Sequence, residues 1–306
     1  MANSNAVTFI QAFKNIIPPL GNKLHKGQAG RLAVIGGSLE YTGAPYFAAI
    51  SALKAGCDLV HVFCVKDAAT VIKGYSPELI VHPILDSTDC LEQLKQWLPK
   101  FQAVTVGPGL GRQEGTLKMV AEIIGEVRKL DLPMVVDADG LFLIGQRPDL
   151  IQNYGKAVLT PNAMEFSRLY TSIMEEELAP QNDPDPQKVV RLARQLGSCI
   201  LLKSQRDIIS DGEMAVSCEV HGSPRRSGGQ GDILSGSSMT FLHWCFNCDK
   251  WLEDMEMYPS NPAVLATYAA CVLTRTSARL AFEKYRRSTT ATNAIEHIQA
   301  AFEQTF

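Results

Sequence analysis

The chain has 306 residues, 46% of them apolar and 20% charged, with a net charge of −3 and an isoelectric point near 6.1. That is ample chain for a large core, and it leaves no basic footprint for nucleic acid or an anionic membrane. Eight cysteines lie scattered, mostly in apolar runs, and Cys245-Phe-Asn-Cys248 is only half a zinc site, so they read as reduced, buried thiols of a cytoplasmic protein; no apolar run reaches the ~18 residues of a membrane span.

Residues 1–24 read as an N-terminal helical extension: the stretch 7–17 is weakly amphipathic and lacks the arginines of a transit peptide. After it, short β-branched runs alternate with helical stretches, the pattern of a mostly parallel sheet flanked by helices on both faces. A strand at 31–35 ends in Gly36-Gly37-Ser38, and a helix over 44–55 follows whose alanines permit close packing. The run 58–65 is apolar on both faces and so central to the sheet, with His61 expected as a satisfied core histidine. A shorter strand, 79–83, is closed by proline and belongs near an edge.

The strand 103–106 empties into Gly107-Pro-Gly-Leu-Gly111 ahead of a helix over 115–130. These glycines lack the G-x-G-x-x-G spacing of a dinucleotide-binding dehydrogenase and a proline interrupts the turn, which argues against hydride transfer. A strand over 133–137 carries Asp137 at its carboxyl end, where open sheets bind ligands. Asp137 and Asp139 could hold a metal, though Asp139 reads more simply as the cap of a helix starting near Gly140. The strand 157–160 delivers Asn162 and Glu165 at capping-box spacing, which explains both structurally and also presents an oxygen pair to a metal. There follow an acidic, proline-rich surface loop at 174–186, a helix over 187–196, a strand at 199–203 ending in Lys203, and a hairpin over 207–216 around Asp211-Gly212. Helices over 262–282 and 290–302 finish the chain, and no linker or repeat divides it, so 1–306 reads as one domain.

The stretch running from Gly222 through Arg225 and Arg226 to Gly228-Gly-Gln-Gly-Asp232 is the one the others serve. Gly228, Gly229 and Gly231 are expected to take positive φ and close backbone amides around a phosphate. A helix of small and apolar residues over 232–246 begins there, with about half a positive charge at its N-terminus aimed at the same point. Asp232 is then either a helix cap or, at the mouth of an anion hole, a general base.

Together, Gly-Pro-Gly-Leu-Gly at 107–111, Asp-Ala-Asp-Gly at 137–140, Thr-Pro-Asn-x-x-Glu at 160–165, Lys203 and Gly-Gly-Gln-Gly-Asp-x-Leu-x-Gly at 228–236 resemble the ATP-dependent NAD(P)H-hydrate dehydratases. The likeness runs from about His25 to the final helices, and it implies a ribokinase-like α/β fold. It implies substrate contacts at Gly109, Asn162, Ala163, Met164, Glu165, Phe166, Ser167, Arg168 and Asp232. For ATP it implies Lys203, Ser204, Gln205, Arg206 and Asp207, then Gly222, Ser223, Pro224, Arg225, Arg226, Ser227, Gly228, Gly229, Gln230 and Gly231. One departure is Ser204, where the family more often carries glycine.

The implied partners are hydrated NADH or NADPH and ATP, with Mg²⁺ near Asn162 and Glu165 through water, no nucleic acid or membrane, and room for a homo-oligomer. The implied reaction phosphorylates a ring hydroxyl, with Asp232 taking its proton, and then expels phosphate with push from the ring nitrogen. The same loop and aspartate would also serve a small-molecule kinase of a hydroxymethylpyrimidine or sugar alcohol that stops at the phosphorylated product, or a nucleotide sensor that turns nothing over.

Overall fold

The computed structural model describes residues 2–21, 25–180, 185–248 and 261–306, with side chains from Phe9 onward; Met1 and residues 22–24 of the expected extension, and 181–184 of the expected loop, lie outside the described residues. The strands are β1 (Arg31–Ile35), β2 (Leu59–Cys64), β3 (Ile80–Pro83), β4 (Ala103–Val106), β5 (Met134–Val136), β6 (Ala157–Leu159), β7 (Cys199–Leu202), β8 (Asp207–Ser210) and β9 (Ala215–Cys218). Among the described residues they form one nine-stranded sheet in the order β3-β2-β1-β4-β5-β6-β7-β8-β9. Pairing is parallel from β3 to β7 and antiparallel across β7–β8–β9. The Asp211-Gly212 hairpin, the edge position of β3 and the interior position of β2 all match the sequence reading.

Both faces of the sheet are covered, which is why its strands are apolar without alternation. In β1, Leu32 and Val34 point into one core layer while Ala33 and Ile35 point into the other. The first layer is built by α1 (Ala2–Ile16), α2 (Gly43–Ala55), α3 (Lys66–Tyr75), and then the later helices. The second is built by α4 (Cys90–Trp97), α5 (Glu114–Lys129), α6 (Asp139–Gln146), α7 (Ala163–Met174) and α8 (Pro186–Leu196). The chain then returns to the first layer with α9 (Gln230–Phe246), α10 (Pro262–Tyr285), α11 (Ala291–Glu296) and α12 (Ile298–Thr305).

Three features differ from expectation. The sequence reading places no helix at α3 or α4, and both are present, each short and amphipathic, with only a few residues reaching the core. The helix expected over 290–302 breaks at His297, whose ring hydrogen-bonds the Asn293 carbonyl at 2.7 Å. Within α1, Phe13 is fully buried with its ring 4.5 Å from that of Phe241, so the N-terminal segment completes the core rather than extending from it. Burying one such ring contributes about 1.5–3 kcal/mol.

Helices α2 and α9 touch backbone to backbone. A Cβ added at Gly236 would stand 2.0 Å from the Ala48 carbonyl oxygen, and one turn on Thr240 Oγ1 donates to the Ala52 carbonyl at 3.1 Å. All eight cysteines are free thiols, buried except for the half-buried Cys248. Among the described residues no helix is long and apolar enough to cross a membrane.

His61 is a core histidine with a partner the sequence did not announce. Its Nδ1 lies 2.9 Å from Nε2 of His82 on β3, beneath Trp97 and Phe101. Burial, then the neighbouring His82, pulls His61 down to about 4, and burial also lowers His82. Folding favours the neutral rings, so their stabilisation is complete above the ordinary value of ~6.5 and is lost as pH falls toward 4. The thermal midpoint is therefore expected to drop between pH 6.5 and 4, and a His61→Gln variant to show a flatter profile; parallel profiles for the two proteins would refute the assignment.

Candidate active site

The order of strands reverses at β1, which pairs with β2 on one side and β4 on the other, and such a reversal opens a crevice beyond the carboxyl ends of the two strands. The two glycine turns meet there: Gly37 N–H donates to the Gly109 carbonyl at 3.1 Å, and Gly109 itself has φ +60°. Next to them, Asp139 does not cap α6. The N-cap is Ala138, and the Asp139 carboxylate instead accepts from Gly111 N–H at 3.0 Å and Arg112 Nε at 2.9 Å, pinning the Gly107–Gly111 turn from below.

The carboxyl ends of β5, β6 and β7 supply a buried charge cluster. Lys203 Nζ donates to Asp137 Oδ1 at 2.8 Å, with side chains 20% and 3% exposed, and lies 4.0 Å from Glu165 Oε2. Burial alone would push the ammonium down, but Asp137 and then Glu165 outweigh it and hold the Lys203 pKa above its ordinary value. Asn162 and Glu165 form the expected capping box: Asn162 Oδ1 accepts from Met164 N–H and Glu165 N–H, both at 3.0 Å, and Glu165 Oε2 accepts from Asn162 N–H at 2.8 Å. Burial raises the Glu165 pKa, with Lys203 opposing. Along the rest of this segment, Ala163 is half-buried while Met164 and Arg168 are exposed. Phe166 is turned into the core, and Ser167, also buried, donates its hydroxyl to the Leu178 carbonyl.

Gly229 has φ +91° and is the N-cap of α9. Neither Gly228 nor Gly231 takes positive φ, contrary to the sequence expectation for all three. Gly228 has open space where a side chain would be, whereas a Cβ on Gly231 would lie 3.3 Å from Lys203 Nζ, so a side chain at 231 would crowd the ammonium of the charge cluster. Asp232 is therefore the third residue of α9, and its carboxylate makes no capping hydrogen bond. Burial first, then the Asp137 carboxylate, drives its pKa up to about 8 against the pull of Lys203.

An open cleft of about 1180 Å³ adjoins this cluster. Its lining includes Asn162 and the sequence-predicted Lys203, Ser204, Gln205, Arg206 and Asp207. From the loop it takes Gly222, Ser223, Pro224, Arg226, Ser227, Gly228, Gly229, Gln230 and Gly231. Arg225 is exposed and is not part of that lining; its carbonyl accepts from Gln230 Nε2 at 2.9 Å, which folds the loop back on the start of α9.

The sequence reading misses the rest of the lining: Glu219, Val220 and His221 after β9, Leu234 on α9, and Thr274, Arg275 and Ala278 on α10. Arg275 has the one available signal: it follows an uncharged run, 263–274, in a helix buried along most of its length, where an arginine must be paired. Its partner is Asp207, at 2.6 Å from Arg275 Nε, and the other Asp207 oxygen accepts from Ser204 N–H at 3.1 Å.

The arrangement offers an anion-accepting cleft ending at a helix N-terminus, with a destabilised carboxylate beyond its end. Known proteins resemble the chain in sequence and in fold. A profile of the NAD(P)H-hydrate dehydratase family matches residues 32–300. The ATP-dependent (S)-NAD(P)H-hydrate dehydratase of Rattus norvegicus is 48% identical over 306 residues, spanning 100% of this chain and 88% of the rat protein. The fold matches the ADP/ATP-dependent NAD(P)H-hydrate dehydratase from Bacillus subtilis, co-crystallized with ATP/Mg²⁺, at a TM-score of 0.72 and 18% identity over 97% of each chain. It matches equally a ribokinase-like superfamily protein from Enterococcus faecalis, at a TM-score of 0.72 and 20% identity over 97% of this chain and 94% of that one. With a ribokinase-like fold and near-half identity to a full-length relative, this chain belongs to the NAD(P)H-hydrate dehydratase family.

Proposed function

We propose that this protein uses ATP in the cytoplasm to dehydrate hydrated NADH and NADPH, returning the damaged cofactor to its reduced form. The observation that carries the reading is Asp232: it sits in the first turn of α9, spared from capping, with its anion disfavoured by burial and by Asp137. A carboxylate that gains by accepting a proton near neutral pH is suited to general-base work. Asp232 takes the proton of the ring hydroxyl as the hydroxyl oxygen attacks the terminal phosphorus of ATP and ADP departs. Phosphate then leaves with push from the ring nitrogen, and loss of a proton from the adjacent ring carbon restores the reduced nicotinamide; the first of these steps is closed to the free hydroxyl because hydroxide is a poor leaving group.

ATP occupies the cleft, with its phosphates toward the Gly228–Gly231 turn and the N-terminus of α9, whose amides and dipole favour negative charge. The hydrated nicotinamide lies at the crevice beside Gly109 and the exposed face of the Asn162–Arg168 segment. Mg²⁺ would neutralise charge on the phosphates. Asn162 Oδ1 is spent on two amide donors, and no cluster of three or more metal-ligating side chains exists among the described residues. The residues fit Mg²⁺ held by phosphate oxygens and water, with the Glu165 carboxylate ordering that water.

Incubation with ATP and hydrated NADH tests the reading: the absorbance of reduced nicotinamide is expected to return as ATP is consumed. A stable phosphorylated product without that return would instead identify a small-molecule kinase.

The loop conformation makes a separate prediction. A Cβ at Gly229 would meet Ala291 Cβ at 2.6 Å and the Phe47 ring at 3.0 Å, so a side chain there strikes α11 and α2 rather than entering the cleft. Gly229→Val is expected to lose about 1–3 kcal/mol of stability and to weaken ATP binding by displacing the turn. Calorimetry giving wild-type ATP affinity in this variant would show that the turn does not form the phosphate site.

A further inference from the structure

The guanidinium of Arg275 reaches two separate segments of the cleft wall. Its Nη2 donates to the Ser204 carbonyl at 2.8 Å, and its Nη1 donates to the Gln205 carbonyl at 3.0 Å and the Val220 carbonyl at 3.1 Å. Nε is anchored by Asp207, which also holds Ser204 N–H. One side chain on α10 thus ties the turn after β7 to the segment leaving β9. A trans peptide points its N–H opposite to its carbonyl, and no cis bond occurs in the described chain. With the carbonyls of Ser204 and Val220 drawn onto the guanidinium, the N–H groups of Gln205 and His221 face away from it, and both of these residues line the cleft.

We infer that Arg275 is a positioning residue for the nucleotide: it fixes two peptide planes so that the amides of Gln205 and His221 are presented as hydrogen-bond donors to bound ATP. This rests on the assignment of the cleft to ATP. Lysine cannot replace the fork, because an ammonium cannot hold three carbonyls and a carboxylate in one plane. The pair with Asp207 is largely buried, with side chains 16% and 8% exposed, so the geometry does not relax into solvent.

The test is ATP binding by titration calorimetry and steady-state kinetics on wild type, Arg275→Lys and Asp207→Asn, with thermal midpoints recorded for each. The inference expects Arg275→Lys to stay folded, to raise Kd and KM for ATP at least about tenfold, the loss of one charge-assisted hydrogen bond, and to change kcat little. A folded Arg275→Gly variant is expected to regain ATP affinity with added guanidinium ion at millimolar concentration. Wild-type ATP affinity in folded Arg275→Lys overturns the inference, as does loss of kcat with KM unchanged. Failure of the wild-type protein itself to bind ATP overturns the cleft assignment instead. Should Arg275→Gly not fold, Asp207→Asn carries the same expectation for KM.

Discussion

Replacing Asp232 by asparagine is expected to lower turnover of hydrated NADH by at least ~100-fold while leaving ATP binding intact, because the amide keeps the size of the side chain but cannot take a proton near neutral pH. The pH profile supplies a second readout. With the Asp232 pKa pushed up to about 8, wild-type kcat/KM is expected to rise through that value, and the rising limb should vanish from the residual activity of the variant. Stability moves the other way. The folded protein disfavours the ionised carboxylate, so wild type loses stability as pH rises from the ordinary aspartate value of ~3.9 through 8, whereas an asparagine does not titrate. The variant should therefore have the higher thermal midpoint at pH 8, with the gap closing toward pH 4. Turnover near wild type would return Asp232 to a structural role, and an unchanged midpoint at pH 8 would show that its carboxylate is solvated.

Lys203→Met is expected to be the most damaging single change in the charge cluster. It leaves Asp137 without its 2.8 Å partner in a position where that carboxylate is 3% exposed, and breaking a buried pair from one side costs about 3–5 kcal/mol. It also removes the cation that opposes the rise in the Asp232 pKa, so any activity that survives should shift to higher pH. Denaturant titration and the pH profile check the two parts separately. The double change Lys203→Met with Asp137→Asn is expected to recover part of the lost stability, since the uncompensated charge goes with it; no recovery would mean that Lys203 acts mainly by packing.

The strand-and-turn frame is legible in the residues because its signals are local. β-branched runs ending in glycine define the sheet, Asp211-Gly212 defines a hairpin, and the spacing of Asn162 and Glu165 defines a cap that forms as written. What escapes is set by contacts distant in sequence. Asp139 has the residue type and position of a cap, yet its carboxylate is claimed by Gly111 and Arg112 from another turn. The positive φ expected at three glycines is confined to Gly229, while the value of Gly231 lies in Lys203 approaching where a side chain would be. Arg275 is 68 residues from Asp207, so nothing near it in the chain reveals the pairing. Of the candidate site, the glycine loop and Asp232 can be read directly, whereas the part of the lining that α10 supplies cannot.

The backbone contact at Gly236 has a consequence for how this protein can be damaged. Gly236 and Asp232 are one turn apart on the same helix, yet a change at each removes the protein's contribution by a different route. Any side chain at 236 drives α9 off the Ala48 carbonyl and lowers the amount of folded protein in a cell, leaving the remaining molecules competent. With Asp232 as the proposed base, a neutral substitute at 232 is expected to leave the amount of folded protein near normal and to produce an inert population that still binds ATP. In a cell with one altered copy of two, the first lesion thins the altered half of the supply, while the second would keep the total constant with half of it idle.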